Sequence, residues 1–197
     1  VFWNSCRQVF PIILGHVLLG APAAWAFAKF HFPGKKILYT LYIVLMLMPF
    51  QVTMVSSYLV LNKLGLIDTV WAVILPGAAS TLPVFIMARF FMDIPEAVTE
   101  AAAVDGASSF QTFLRFGLPL GAPGILSAVV LGFLEYWNAI EAPQAFLKNQ
   151  ALWPLSLYMS NITADNAGVS LIASLITLMP PLLIFLFGQK YLEQGII

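Results

Sequence analysis

Residues Leu118–Ile140 read LPLGAPGILSAVVLGFLEYWNAI, a run of 23 residues in which Glu135 is the one charge. A hydrocarbon core of about 30 Å needs about 20 apolar residues of helix. Four further stretches meet that requirement: Val9–Ala28, Ile37–Leu61, Val70–Phe91 and Gly168–Gly188. None alternates polar and apolar residues as a lipid-facing barrel strand does, and each is about twice a tilted strand's length. The sequence therefore predicts an all-α fold, a polytopic membrane helical bundle with five transmembrane helices. Composition agrees: 60% of the 197 residues are hydrophobic and 9% charged, with a mean hydropathy of +0.90. An ordinary cytosolic enzyme is excluded. Nine basic residues balance nine acidic ones, so the chain carries no excess of positive charge on which nucleic-acid binding could rest. Cys6 alone forms no internal disulfide, and His16 and His31 are too few for a multi-histidine metal site. No metal ligands are expected.

Orientation follows from Lys and Arg in alternate connecting segments, because positive loops stay in the cytoplasm. Lys29, Lys35, Lys36, Arg89, Arg115 and Lys190 make six on one side; Arg7, Lys63 and Lys148 make three on the other. The first set is expected inside, which puts the start of the chain outside and its C-terminus inside. Position 1 is Val. The chain is accordingly read as a fragment, with one further N-terminal span giving six helices at full length. Pro49, Pro76 with Pro83, and Pro180 with Pro181 break the spans, either as packing kinks or as a hinged wall around a path. Gly124, Ala128 and Gly132 recur every four residues and suit close backbone approach.

The inner segment Met92–Gly117, MDIPEAVTEAAAVDGASSFQTFLRFG, is long and built to be ordered. Asp93 is expected to cap a helix that has Pro95 in its first turn, Glu96 and Glu100 near its positive end, and a stop at Asp105-Gly106. Ser108 with Gln111 forms a capping-box pattern for a second short helix carrying Phe110, Phe113 and Leu114 on one side. Asp105 sits at the negative helix end, where an acid is unfavourable; either the turn alone requires it or a partner does. Ala97, Ala101 and Val104 form a narrow face suited to another protein's groove.

The string EAAAVDGASSFQTFLRFGLPLGAP, Glu100 to Pro123, resembles the EAA loop of the membrane subunits of binding-protein-dependent ABC importers. Glu100, Ala101, Ala102, Gly106, Leu118 and Pro119 fall on that pattern. Ala26–Phe30 with Phe32-Pro33-Gly34, Met48-Pro49, Leu64-Gly65-Leu66 with Asp68-Thr69, Phe91–Pro95 and Trp137-Asn138 extend the likeness to the maltose-type (MalG-like) sugar permeases. Phe116 stands where that branch usually has Ile, and Glu141 lies in a stretch usually less acidic.

The resemblance implies a type I ABC importer permease: one permease domain over 1–197 with a cytoplasmic coupling loop at 92–117, in the bacterial cytoplasmic membrane. It implies that Glu100, Ala101, Ala102, Asp105 and Gly106 couple to an ATPase, with Glu100 meeting a basic residue there. The implied partners are a second permease subunit of a different chain, two ABC ATPase subunits, an extracytoplasmic solute-binding protein and a carbohydrate substrate. No GxxxxGK[ST] loop is present, so ATP and Mg belong to the ATPase subunits and this chain is expected to bind no cofactor and catalyse nothing.

For the translocation path, Glu135, Asn138 and Glu141 repeat every three residues and predict one polar stripe on the fourth span. Glu135 lies 17 residues past Leu118, about 26 Å along a helix, toward the outer edge. Trp137 reads either as an interfacial anchor or as a platform for a sugar face. Gln51, Thr53, Ser56 and Ser57 follow Pro49, where a broken helix exposes polar groups to a path or to a neighbouring helix. The outer segment Glu141–Ala167 is a candidate contact for an external binding protein; its Asn161-Ile162-Thr163 sequon reads as coincidence. His16 and His31 lack ligand partners at helical spacing and read as packing or surface residues. Arg115 reads either as a partner for ATPase acids or as a headgroup anchor. Carbohydrate import is the expected function, with ABC import of a different small solute as the alternative. An intramembrane enzyme needs a catalytic pair that the spans do not supply, and a secondary transporter would be built from repeats that the sequence does not show.

Overall fold

The computed structural model describes residues 1–161 and 167–193. They form helices α1 (Phe2–Gly15), α2 (Ala21–Lys29), α3 (Lys35–Leu47), α4 (Phe50–Lys63), α5 (Trp71–Ala78), α6 (Thr81–Asp93), α7 (Glu96–Val104), α8 (Ser109–Thr112), α9 (Leu118–Leu120), α10 (Ala122–Trp137), α11 (Glu141–Phe146), α12 (Leu155–Ser160) and α13 (Ala167–Glu193). Three continuous stretches are long and apolar enough to cross a membrane: Phe2–Lys29, Trp71–Asp93 and Ile172–Glu193. Two broken pairs, α3 with α4 and Ser109–Leu120 with α10, bring the spans among the described residues to five. A helical membrane bundle is the fold. Large apolar side chains remain exposed on the spans, among them Ile37, Leu41, Val44, Leu175, Leu178 and Phe187, as suits helices solvated by lipid.

The breaks have local causes. Pro49 is extended (φ −64°, ψ 145°) and starts α4, dividing the second span because it can donate no backbone hydrogen bond. Two π-helical turns, His16–Gly20 and Phe113–Gly117, each end in a glycine two residues before a proline, Pro22 and Pro119. A proline ring clashes with the carbonyl four residues back, and a widened turn moves that carbonyl aside. The helix therefore continues where a break would otherwise fall.

The chain falls into two compact units. Among the described residues, one comprises 1–14, 48–78, 131–161 and 167–187; the other comprises 15–47, 79–130 and 188–193. In the first, Ile12, Val73, Ile74 and Leu147 form one buried cluster, and Val9, Phe133 and Trp137 another. Polar groups of α1 bind a later segment: Asn4 Nδ2 donates to the Ala151 carbonyl (2.7 Å) and Gln8 Nε2 to that of Leu152 (2.9 Å). Ser5 Oγ accepts from the Leu155 backbone at 2.8 Å.

In the second unit, α2 and α6 pack face to face around Ala21, Ala24, Trp25, Val84, Met87, Ala88 and Phe91. Ala128 is buried, and a Cβ added at Gly124 would meet the Phe90 ring and one at Gly121 the Phe91 ring. The small residues of the fourth span thus admit phenylalanine rings of α6, where the sequence suggested a neighbouring backbone.

Candidate functional site

The segment between the third and fourth spans is helix, tight turn, helix, and each feature has a local origin. Asp93 does not cap α7 as expected; it is the last residue of α6, and α7 starts after the extended Pro95. The α6 helix simply continues two residues past the apolar run. Helix α7 ends in a complete Schellman pair: Ala107 N–H donates to the Ala102 carbonyl (2.9 Å) and Gly106 N–H to that of Ala103 (3.0 Å). Gly106 has φ +81°, a left-handed conformation that a Cβ would strain. Asp105 is the residue before that turn and is exposed. The capping box is present: Gln111 Oε1 accepts from Ser108 N–H at 2.8 Å, and Ser108 Oγ from Gln111 N–H at 3.3 Å.

The helix has an inner and an outer face. Val98 packs on the core cluster and Ala102 is 3% exposed. Ala97, Glu100, Ala101, Asp105 and Gly106 are exposed, and Val104 is 88% exposed. At 3% exposed, Ala102 offers no surface to a docked protein as the EAA pattern suggested. The side expected to carry Phe110, Phe113 and Leu114 is divided as well: Phe113 is buried while Phe110 is 67% exposed. The π-turn beginning at Phe113 changes the register.

Phe113 joins an aromatic cluster that sequence reading missed. Trp25 lies 5.3 Å from Phe91, edge to face, and 5.7 Å from Phe113; Phe91 and Phe113 are 6.4 Å apart. A Cβ on Gly117 would meet the Trp25 ring at 2.9 Å. The Lys29 ammonium donates to the carbonyl of Ile94, just before α7. The loop is thus fixed through Trp25 with Phe113, Lys29 with Ile94, and Val98 on the core cluster. The G-x-P spacing at Gly117 was the available signal, since it marks the turn that brings Phe113 inward.

The expected polar stripe does not form. Helix α10 ends at Trp137, and Glu141 opens a separate helix, α11. Asn138 Nδ2 bonds back to the Leu134 carbonyl (2.8 Å), satisfying one of the acceptors a helix end leaves free. Trp137 is 2% exposed, stacked on Phe133 at 5.3 Å, and its Nε1 donates to the Thr177 carbonyl at 3.0 Å. Its faces are closed both to an interface and to a sugar. Glu135 is exposed. Gln51 Nε2 donates to Glu141 Oε1 at 2.7 Å, a contact between two residues 90 positions apart. Thr53 Oγ1 turns back to the Phe50 carbonyl (3.1 Å). Ser56 and Ser57 border an open concavity of about 370 Å³ whose other walls include Val60, Leu61, Leu64 and Pro76. His16 is buried and His31 exposed. Ile162 and Thr163 of the sequon, with Asn166, lie outside the described residues.

Residues 16–197 match the family described as binding-protein-dependent transport system inner membrane component. The chain belongs to that family. It is 34% identical to a probable ABC transporter permease of Pyrococcus horikoshii, over 98% of this chain and 72% of that protein. It is 26% identical to AraQ, the arabinooligosaccharides transport system permease of Halalkalibacterium halodurans, over 99% of this chain and 71% of that one. In fold it is similar to a chain of a bacterial ABC transporter involved in import of the acidic polysaccharide alginate: TM-score 0.82, 20% identity, covering 96% of this chain and 73% of that chain. As an inner membrane component of such a system, this chain is a multi-pass transport subunit without catalytic chemistry of its own. Members of the family work with a solute-binding protein, a further permease subunit and an ATPase.

Proposed function

We propose that this permease carries a carbohydrate inward and that α7 is the lever by which an ATPase drives it. The observation behind the lever is the two-faced helix: Val98 packs on the core cluster and Ala102 is buried, while Ala97, Glu100, Ala101 and the 88% exposed Val104 face outward. Exposed apolar surface beside an acid marks a protein contact, and small side chains let a helix lie deep in a groove. The partner's grip must differ between two states of the bundle, since equal affinity shifts nothing. The Trp25–Phe91–Phe113 cluster gives that difference a packed route into α2 and α6.

In this reading one further permease subunit of a different chain, two ATPase subunits holding ATP and Mg, and one extracytoplasmic binding protein complete the transporter. The α7 side and the C-terminus face the cytoplasm, as the charge asymmetry of the loops requires. Carbohydrate as substrate class rests on similarity to a permease named for arabinooligosaccharides. Co-purification with the ATPase, before and after Glu100→Ala or Gly106→Pro, tests the lever; undiminished assembly and transport would end it. A ligand screen on the co-purifying binding protein tests the substrate. Specificity there for an amino acid or a metal would overturn carbohydrate and leave import standing.

A further inference from the structure

Between α2 and α3 the chain turns through Phe30–Gly34, and His31, Phe32, Gly34, Lys35, Lys36 and Ile37 border a concavity of about 520 Å³. No acid is among these residues. Asp93 and Glu96 lie close enough to act on Lys29, but that lysine reaches the Ile94 carbonyl and is not part of the lining. Lys35 Nζ donates to the Phe30 carbonyl at 2.9 Å, which fixes its ammonium beside the cavity wall; Lys36 and His31 are exposed. Both lysines stand in the first turn of α3, where the positive end of the helix disfavours a cation. Positive potential is therefore concentrated in a concave site with no lining carboxylate to offset it. Directly beyond it the apolar span begins, with Phe30, Ile37, Leu38 and Leu41 all more than 40% exposed.

We propose that His31, Lys35 and Lys36 hold the phosphate of an anionic phospholipid whose acyl chains lie along Ile37, Leu38 and Leu41. Charge complementarity selects an anion, and continuity with the exposed apolar face selects a lipid over a soluble phosphate. Juxtamembrane lysines each contribute to such binding in proportion to their charge. The site is independent of the coupling role of α7.

The test uses the whole transporter, reconstituted in nanodiscs of mixed phosphatidylglycerol and phosphatidylcholine, then extracted and washed. Retained lipid is counted by mass spectrometry. Wild type retains phosphatidylglycerol over phosphatidylcholine. Lys35→Gln with Lys36→Gln lowers that retention about fivefold per lysine, whereas Lys36→Arg and the distant Lys63→Gln keep it. Equal retention of the two lipids by wild type, or unchanged retention in the double variant, overturns the proposal. Displacement of the lipid by excess inorganic phosphate overturns it in favour of a soluble-anion site. Should the double variant fail to assemble, the wild-type lipid preference and Lys36→Arg still decide.

Discussion

One carboxylate oxygen of Asp68 accepts the backbone N–H of Asn149 at 2.7 Å and that of Lys148 at 2.9 Å, joining loops 80 and 81 residues apart. The Asp68 N–H in turn donates to the Phe146 carbonyl at 2.9 Å. Asp68 has φ +64°, the left-handed region that few residues other than glycine, asparagine and aspartate adopt. The acceptor role explains why an acid stands there despite the strain. One residue thus ties the loop before α5 to the loop after α11.

Asp68→Ala removes the shared acceptor and keeps the strained backbone, so it destabilises the permease by about 1–3 kcal/mol. Asp68→Asn keeps one carbonyl oxygen for the same two donors and loses less. Thermal unfolding of the purified transporter distinguishes them. Equal losses in the two variants would show that the oxygen is not what holds the loops.

What the sequence made legible was whatever local rules determine. The Ser108–Gln111 box and the Gly106 stop depend on spacing within one turn, and both are present. Span count and class followed from length and hydropathy. The direction of Trp137 did not, because burial of its ring depends on Val9 and Phe133 and its N–H on Thr177, contacts from distant parts of the chain. Ala102 failed for a related reason: a motif names residues without saying which side of the helix packs inward. Asp68 was visible only as part of a resemblance, and its acceptor role emerges from loops that sequence alone does not bring together.

Trp137→Phe keeps the stack on Phe133 but leaves the Thr177 carbonyl without its donor, a loss of about 1 kcal/mol. Trp137→Ala opens a cavity and costs about 3–5 kcal/mol. Because the ring is enclosed, Trp137→Phe should leave the concentration dependence of transport unchanged in proteoliposomes. A several-fold rise in the half-saturating substrate concentration, at near wild-type thermal stability, would show that the ring meets the solute after all.

Gly124 and Gly121 accommodate the rings of Phe90 and Phe91. Gly124→Ala forces the Phe90 ring aside and lowers stability by about 1–3 kcal/mol. Removing the Phe90 side chain beyond its Cβ relieves two of the three close contacts, so Phe90→Ala combined with Gly124→Ala is less destabilised than the sum of the single changes. Strict additivity in unfolding measurements would mean that the two side chains do not press on one another.

Ala101 and Ala102 are neighbours in sequence with opposite fates, one exposed and the other 3% exposed, and this separates docking from folding. An aspartate at 101 stays in water and leaves thermal unfolding of the permease nearly unchanged, but it places a charge on the face offered to the ATPase. Ala101→Asp should therefore cut ATPase co-purification and ATP-driven uptake by at least about tenfold, the effect of a 1.4 kcal/mol loss in binding. Ala102→Asp instead places an unpaired charge at a buried position, at a cost of more than about 2 kcal/mol, and should lower the unfolding temperature even in the isolated permease. If the two variants behave alike in both measurements, α7 does not present the faces described, and the lever loses its structural basis.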